Sequence, residues 1–266
     1  MSAASRDFLV EIGTEELPPK SLLTLAAAFA DGIARGLTEA GLSHRAVERF
    51  ATPRRLAVRV RKLAERQPDR AIERRGPPVK AAFDAQGVPT QAALAFARGC
   101  GVEVAALERL ETPKGAWLVH RGTEPGASTV SLLPGIVQAS LDALPIARRM
   151  RWGAGEAQFV RPVHWVLMLF GREVVPCTVL GVASGDLTYG HRFMAPKPIR
   201  IGTPAAYLSA LHRRGRVLAD IHERRETIRQ GVTAAVEQDD LTDQGVGNPR
   251  DHRDGLTNIL KAHIAE

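Results

Sequence analysis

Two arginine pairs, Arg54-Arg55 and Arg74-Arg75, carry the side chains best suited to chemistry in this chain. Each pair lies in a Pro- or Gly-containing segment that reads as a turn, where side chains project outward and guanidinium groups can meet phosphate oxygens. Met150-Arg151-Trp152-Gly153 sets a cation beside an indole, which serves either a flipped base or an internal cation–π pair; the internal role is the preferred reading. Arg161, ahead of Pro162, either binds a phosphate or pairs with an acid. His191 and Arg192 follow Gly190 in a Gly-bracketed loop, as contact residues or as plain surface. His164 interrupts an apolar run and reads as a packed or strand-face histidine before a ligand. Glu15 and Glu16 precede a helix start, where carboxylates interact favourably with the helix dipole.

Other chemistries find no support in the spacing. There is no GxxxxGK[ST] loop and no GxGxxG turn, and Gly153-Ala154-Gly155 has the wrong spacing to imitate either. His222-Glu-Arg-Arg-Glu226 resembles part of a zinc-protease helix but lacks the second histidine, so it reads as a charged helix face. Cys100 and Cys177 form no CxxC pair, no ligand cluster has zinc spacing, and two cysteines suit a reducing compartment. No catalytic residue and no metal ligand is assigned.

The net charge of +7 is unevenly spread. Between Arg45 and Lys80 twelve basic residues face four acids, a net of +8, which leaves the remainder at −1. Such a window is an electrostatic footprint for nucleic acid. The competing explanation is compositional, since 30 Arg against 6 Lys in an Ala-rich chain matches a GC-rich coding bias. The longest apolar run, Val163 to Phe170, is too short to span a bilayer, and the N-terminus lacks the apolar core of a secretory signal.

The elements that must position these residues are mixed. Phe8 to Ile12 is an apolar strand that Gly13-Thr14 should break. Leu22, Ala26, Phe29, Ile33 and Leu37 line one face of a helix over 19–40, opened by Pro18-Pro19 and closed by Gly41. Alternation at Leu56, Val58 and Val60 predicts a half-buried strand. Glu73 to Pro78 reads as a turn, and Thr90 as the cap of a helix to about Arg98. A strand over 116–121, a helix over 130–144, a hairpin over 159–180 and a helix over 207–237, broken near Gly215, complete the pattern. The expected fold is α+β, with mainly antiparallel sheets and flanking helices in two or three small domains, plus a helical C-terminal segment. The boundaries predicted are 1–145 (containing the basic window 45–80), a β-rich accessory domain over 146–205, a helical segment over 206–237 and a divergent, flexible tail over 238–266.

Six strings occur in the order known from one family, beginning with Phe8-Leu-Val-Glu-Ile-Gly-Thr-Glu-Glu-Leu-Pro-Pro19. Thr52-Pro-Arg-Arg-Leu56, Arg98-Gly-Cys-Gly-Val102, Met150-Arg-Trp-Gly153, Phe159-Val-Arg-Pro-Val-His-Trp165 and Gly190-His-Arg-Phe193 follow. From about Phe8 to about Arg229 the chain resembles the N-terminal portion of the beta subunit of the bacterial two-subunit glycyl-tRNA synthetase. The resemblance implies a cytoplasmic glycine–tRNA ligase of two alpha and two beta chains. Its beta chain would serve tRNA(Gly) binding and assembly. ATP and Mg²⁺ would sit on the alpha subunit, with none bound by this chain. That division agrees with the absence here of the Arg-bearing and Gly-rich strings of a class II synthetase active site. It also turns Arg54, Arg55, Arg74, Arg75, Arg151, Trp152, Arg161, His191 and Arg192 into candidate tRNA contacts. The region from Arg151 to Phe193 is similar, too, to an accessory domain of the phenylalanyl-tRNA synthetase beta chain. Two alternatives stay open: a stand-alone RNA-binding or scaffold protein, and a tRNA-ester editing hydrolase.

Overall fold

A computed structural model describes residues 4–113 and 115–242, with side chains as far as Val236. In chain order it contains β1 (Ser5–Thr14), α1 (Pro19–Glu39), β2 (Val47–Thr52), β3 (Arg55–Ala64), β4 (Arg70–Pro78), α2 (Val79–Ala82), α3 (Gln91–Cys100), β5 (Glu108–Thr112), β6 (Gly115–Glu124) and α4 (Thr129–Asp142). There follow β7 (Met150–Arg151), β8 (Gln158–Phe159), β9 (Val163–Phe170), β10 (Glu173–Val174), β11 (Thr178–Val179), β12 (Val182–Gly185), β13 (Leu187–Tyr189), β14 (Pro198–Arg200), α5 (Tyr207–Arg213) and α6 (Ile221–Thr242). The class is α+β, as predicted. The chain forms two compact units, one over 66–128 and one from the remainder. This cuts across the sequential domains predicted, because strands near the N-terminus pair with strands more than a hundred residues later.

The larger unit is built on a seven-stranded sheet of order β11-β12-β9-β1-β3-β2, with β10 paired to the end of β9. All its pairings are antiparallel except β12 with β9. β1 is central, and Phe8 through Thr14 are all buried, because both faces of the sheet are covered. Phe8, Val10 and Ile12 pack with Leu25, Phe29 and Ile33 of α1 and with Leu133 and Val137 of α4. Leu9, on the other face, joins Leu167, Leu169, Ile199, Tyr207 and Leu211. Pro18 caps α1 and Pro19 opens it, positions where a missing N–H is harmless.

The strand predicted to end at Ile12 continues through Thr14. Gly13 stays in the sheet opposite Trp165 and Arg55, because the indole fills the space that a side chain at 13 would need. The break predicted near Gly215 in the helix over 207–237 is present: α5 and α6 are separated by 214–220, and α6 runs on to Thr242. The remaining tail, 243–266, lies outside the described residues. The chain leaves this unit after Glu65 and re-enters it at Thr129, whose N–H donates to the Glu65 carbonyl at 2.9 Å and whose hydroxyl donates to the Ala64 carbonyl at 2.5 Å.

The smaller unit is a three-stranded antiparallel sheet, β4-β6-β5, with α2 and α3. Ala82, Ala93 and Leu118 form its core. Glu73 to Pro78, predicted as a turn, belongs to β4. An irregularity between Arg75 and Pro78 absorbs Gly76 and Pro77, so the strand holds both prolines at its end. Among the described residues no helix is long and apolar enough to cross a membrane.

Candidate nucleic-acid interface

Strand alternation puts Glu11 on the inner side of the larger unit with no solvent, 0% exposed. A buried carboxylate must be paired and hydrogen-bonded, and Glu11 is fully engaged. Its Oε1 accepts from the Trp165 indole N–H and from the Thr188 hydroxyl, and its Oε2 accepts from the Tyr207 hydroxyl and, at 3.3 Å, from Arg55 Nη1. Arg55 also donates to Thr52 Oγ1 (3.2 Å), Thr188 Oγ1 (3.2 Å) and the Tyr189 carbonyl (2.5 Å), so four of its five N–H donors are used. Burial pulls the Arg55 pKa down, but the facing Glu11 carboxylate and Tyr207 carry it above its ordinary value. Burial first, then the Glu11 charge, pushes the Tyr207 phenol well above its ordinary value. The network ties β1, β3 and β9 to β13 and α5.

The phosphate-facing role predicted for Arg55 is corrected here. At 2% exposure, with four of its five donors engaged, it is instead the buried partner of Glu11. The signal for this lies in the sequence: a carboxylate inside the apolar run Phe8–Ile12 demands a cation on a neighbouring strand. Glu11, Thr188 and Tyr207 are the residues that sequence reasoning misses.

Its neighbour Arg54 has the opposite fate. It sits in the two-residue connection between β2 and β3, its guanidinium 5.9 Å from the centre of the Trp165 ring, and its Nε is buried without a partner. Beside it Glu15 is shared, one oxygen on His164 Nε2 at 2.9 Å and the other on Arg192 Nη2 at 3.0 Å. Glu15 therefore braces His164 and Arg192 as well as preceding α1, and His164 is an exposed strand-face residue. Arg161 is exposed and donates to the Glu16 carbonyl at 3.0 Å. Its partner is therefore a backbone carbonyl and not an acid side chain.

The hairpin loop 190–197, between β13 and β14, frames this surface. Gly190 packs against Gly215: a Cβ at 190 would lie 2.5 Å from the Gly215 carbonyl oxygen, so the position needs glycine. The His191 N–H donates to that same oxygen at 2.7 Å, and His191 Nδ1 accepts from the N–H groups of Phe193 (3.3 Å) and Met194 (3.2 Å). The loop is thereby closed, with Phe193 80% and Met194 69% exposed. A cavity of about 240 Å³ lies between Arg54, His164, Trp165, Tyr189 and Arg192. A second, of about 370 Å³, adjoins it through Arg54, Gly190 and Arg192 and is also lined by Arg216 and Arg224, with Glu16 its one carboxylate. Arg216 and Arg224 are not among the predicted contacts. They arrive from the segment before α6 and from its first turns, remote in sequence from the basic window.

The other predicted residues fall elsewhere. Arg151 is exposed and pairs with Glu156 at 3.3 Å, while Trp152 packs against the core behind the sheet, so the predicted internal cation–π pair is replaced by a salt bridge and an apolar contact. Arg74 and Arg75 lie in the smaller unit, exposed on β4. As successive strand residues they point to opposite faces of their sheet. Arg75 stacks 3.9 Å from the Trp117 ring centre, and Arg74 reaches the Gly99 carbonyl at 3.5 Å.

Residues 8–245 match the family described as glycyl-tRNA synthetase beta subunit. The chain is 56% identical over 233 residues to the glycine–tRNA ligase beta subunit of Hahella chejuensis, which covers 88% of this chain and 34% of that protein. The corresponding subunit of Marinobacter nauticus is 54% identical over 236 residues, covering 89% and 34%. That of Escherichia coli (strain SMS-3-5 / SECEC) is 51% identical over 222 residues, covering 84% and 32%. The chain thus spans about a third of the length of the curated relatives it matches.

Proposed function

This chain belongs to the glycyl-tRNA synthetase beta subunit family, and from that premise we propose that it takes part in the ATP-dependent attachment of glycine to tRNA. The observation that carries the proposal is the family match from residue 8 to 245, supported by more than half identity to named ligase subunits. Within that reaction the chain supplies tRNA-facing surface and subunit contacts. Adenylate formation, with its ATP and Mg²⁺, belongs to an alpha subunit, and the working assembly is a cytoplasmic tetramer of two alpha and two beta chains on tRNA(Gly).

The face around Arg54, Arg192, Arg216 and Arg224 supports the tRNA role on physical grounds. Guanidinium groups that release counterions from an RNA backbone supply affinity without orienting an α-phosphate for attack. Four of the predicted contacts, Arg54, the buried Arg55, His191 and Arg192, line one cavity there.

The test mixes the chain with its matching alpha subunit and measures co-purification, tRNA binding against salt, and glycine-dependent exchange of pyrophosphate into ATP. We expect a stable complex with alpha, salt-sensitive tRNA binding, and no exchange by this chain alone. Stoichiometric exchange without alpha would overturn the division of labour. Failure to bind either alpha or tRNA would overturn the assignment.

A further inference from the structure

We propose that the loop 190–197 receives unpaired nucleotides of an RNA: a base stacks on Phe193 while its phosphate is held by Arg54 and Arg192. The inference rests on the tRNA-binding reading above and narrows it to single-stranded RNA.

Three observations converge on this loop. Phe193 and Met194 are among the most exposed large apolar side chains of the described residues, and they stand side by side at its tip. Their exposure is built in, because His191 accepts both of their backbone N–H groups and so turns the two side chains away from the protein. The base of the loop is fixed as well, by the Gly190–Gly215 contact and by the Ala195 N–H donating to the His191 carbonyl at 2.9 Å.

The second observation is charge. Arg54 and Arg192 both line the two adjoining cavities at the foot of the loop, and Arg216 extends the cationic rim. Arg192 is already oriented by Glu15. Arg54 keeps an unpartnered buried Nε, a donor that lacks an acceptor within the protein.

The third is the pairing of these two chemistries. A rigid aromatic beside guanidinium groups matches a nucleotide whose base and phosphate are both accessible. In an A-form duplex the bases are stacked on one another and their major-groove edges are too deep for a side chain, so Phe193 would have nothing to stack on. An unpaired end, loop or bulge offers the base face. The loop is preorganised, so little ordering opposes binding.

The test uses the 266-residue chain with three probes: tRNA(Gly), a blunt RNA duplex, and a short single-stranded RNA carrying the fluorescent base 2-aminopurine. The single strand should bind more tightly than a duplex of equal length at the same salt, and its fluorescence should change on binding. Phe193→Ala should weaken the single strand roughly tenfold, in line with one lost stacking contact, and should leave the salt dependence unchanged. Phe193→Trp should restore both affinity and signal, which a merely structural role would not. If tRNA binds but Phe193→Ala leaves single-strand affinity intact, the stacking inference falls and the tRNA reading survives. If no RNA probe binds the unaltered chain, the tRNA reading itself falls. If Phe193→Ala instead abolishes capture by the alpha subunit, the loop is a subunit contact and the inference is overturned.

Discussion

Gly13 and Trp165 face each other across adjacent strands, and the indole occupies the volume of any side chain at 13: a Cβ there would lie 1.9 Å from Trp165 Cε2. The same indole donates to Glu11 two residues earlier and stands within 5.9 Å of Arg54 and 5.8 Å of Arg55. One aromatic thus links the buried ion pair to the cationic surface.

Gly13→Ala should therefore destabilise the larger unit by about 1–3 kcal/mol, the usual range for overpacking a filled core. Urea unfolding measures this. In a Trp165→Ala background the same change should have an effect of under about 0.5 kcal/mol, because the clash is gone. Equal effects in both backgrounds would dissociate Gly13 from Trp165.

Arg54 and Arg55 should separate cleanly. Arg55→Ala leaves Glu11 buried without its cation and should lower stability by about 3–5 kcal/mol. Arg54→Ala should lower stability by no more than about 1 kcal/mol, the scale of a lost cation–π contact. It should reduce the slope of log affinity for tRNA against log salt by about 1. An unchanged slope would remove Arg54 from the phosphate contacts.

Tyr207 should make the fold sensitive to alkali. Its folded pKa is raised above the ordinary 10.0, so its contribution is fully present below pH 10 and is lost as pH rises through the folded value. In a Tyr189→Phe variant Tyr207 is the sole tyrosine, and its phenolate absorbance should appear together with loss of the far-ultraviolet dichroism. Ionisation near pH 10 in a still-folded chain would contradict the placement of Tyr207.

The smaller unit should be dispensable for folding of the larger one. Glu65 and Thr129 are joined by a backbone hydrogen bond, so a short Gly-Ser linker can replace 66–128. The excised protein should melt cooperatively and bury Tyr207 as before. Non-cooperative melting would show that the insertion is needed.

Several features are legible in the residues alone. The apolar stripe of α1 has one solution on a helix, and Pro18-Pro19 marks where it starts. The six strings point to the family that the comparison confirms over 8–245. The extent of single elements is harder to read. Gly13 resembles a strand breaker because its partner Trp165 is about 150 residues away, and Gly76-Pro77-Pro78 resembles a turn because strand bulges leave no local signature.

What the sequence determined was local: periodicity, turn residues, charge count and the order of motifs. What only the tertiary structure decided was which of two adjacent arginines is buried and which lines the surface. Arg54 and Arg55 are indistinguishable in composition and in local propensity. Strand alternation and the hidden carboxylate of Glu11 separate them, because a charge removed from water must find its counter-charge in space. The same holds for Arg216 and Arg224, which the packing of α5 and α6 brings to the surface of Arg54 and Arg192 from more than a hundred residues beyond the basic window.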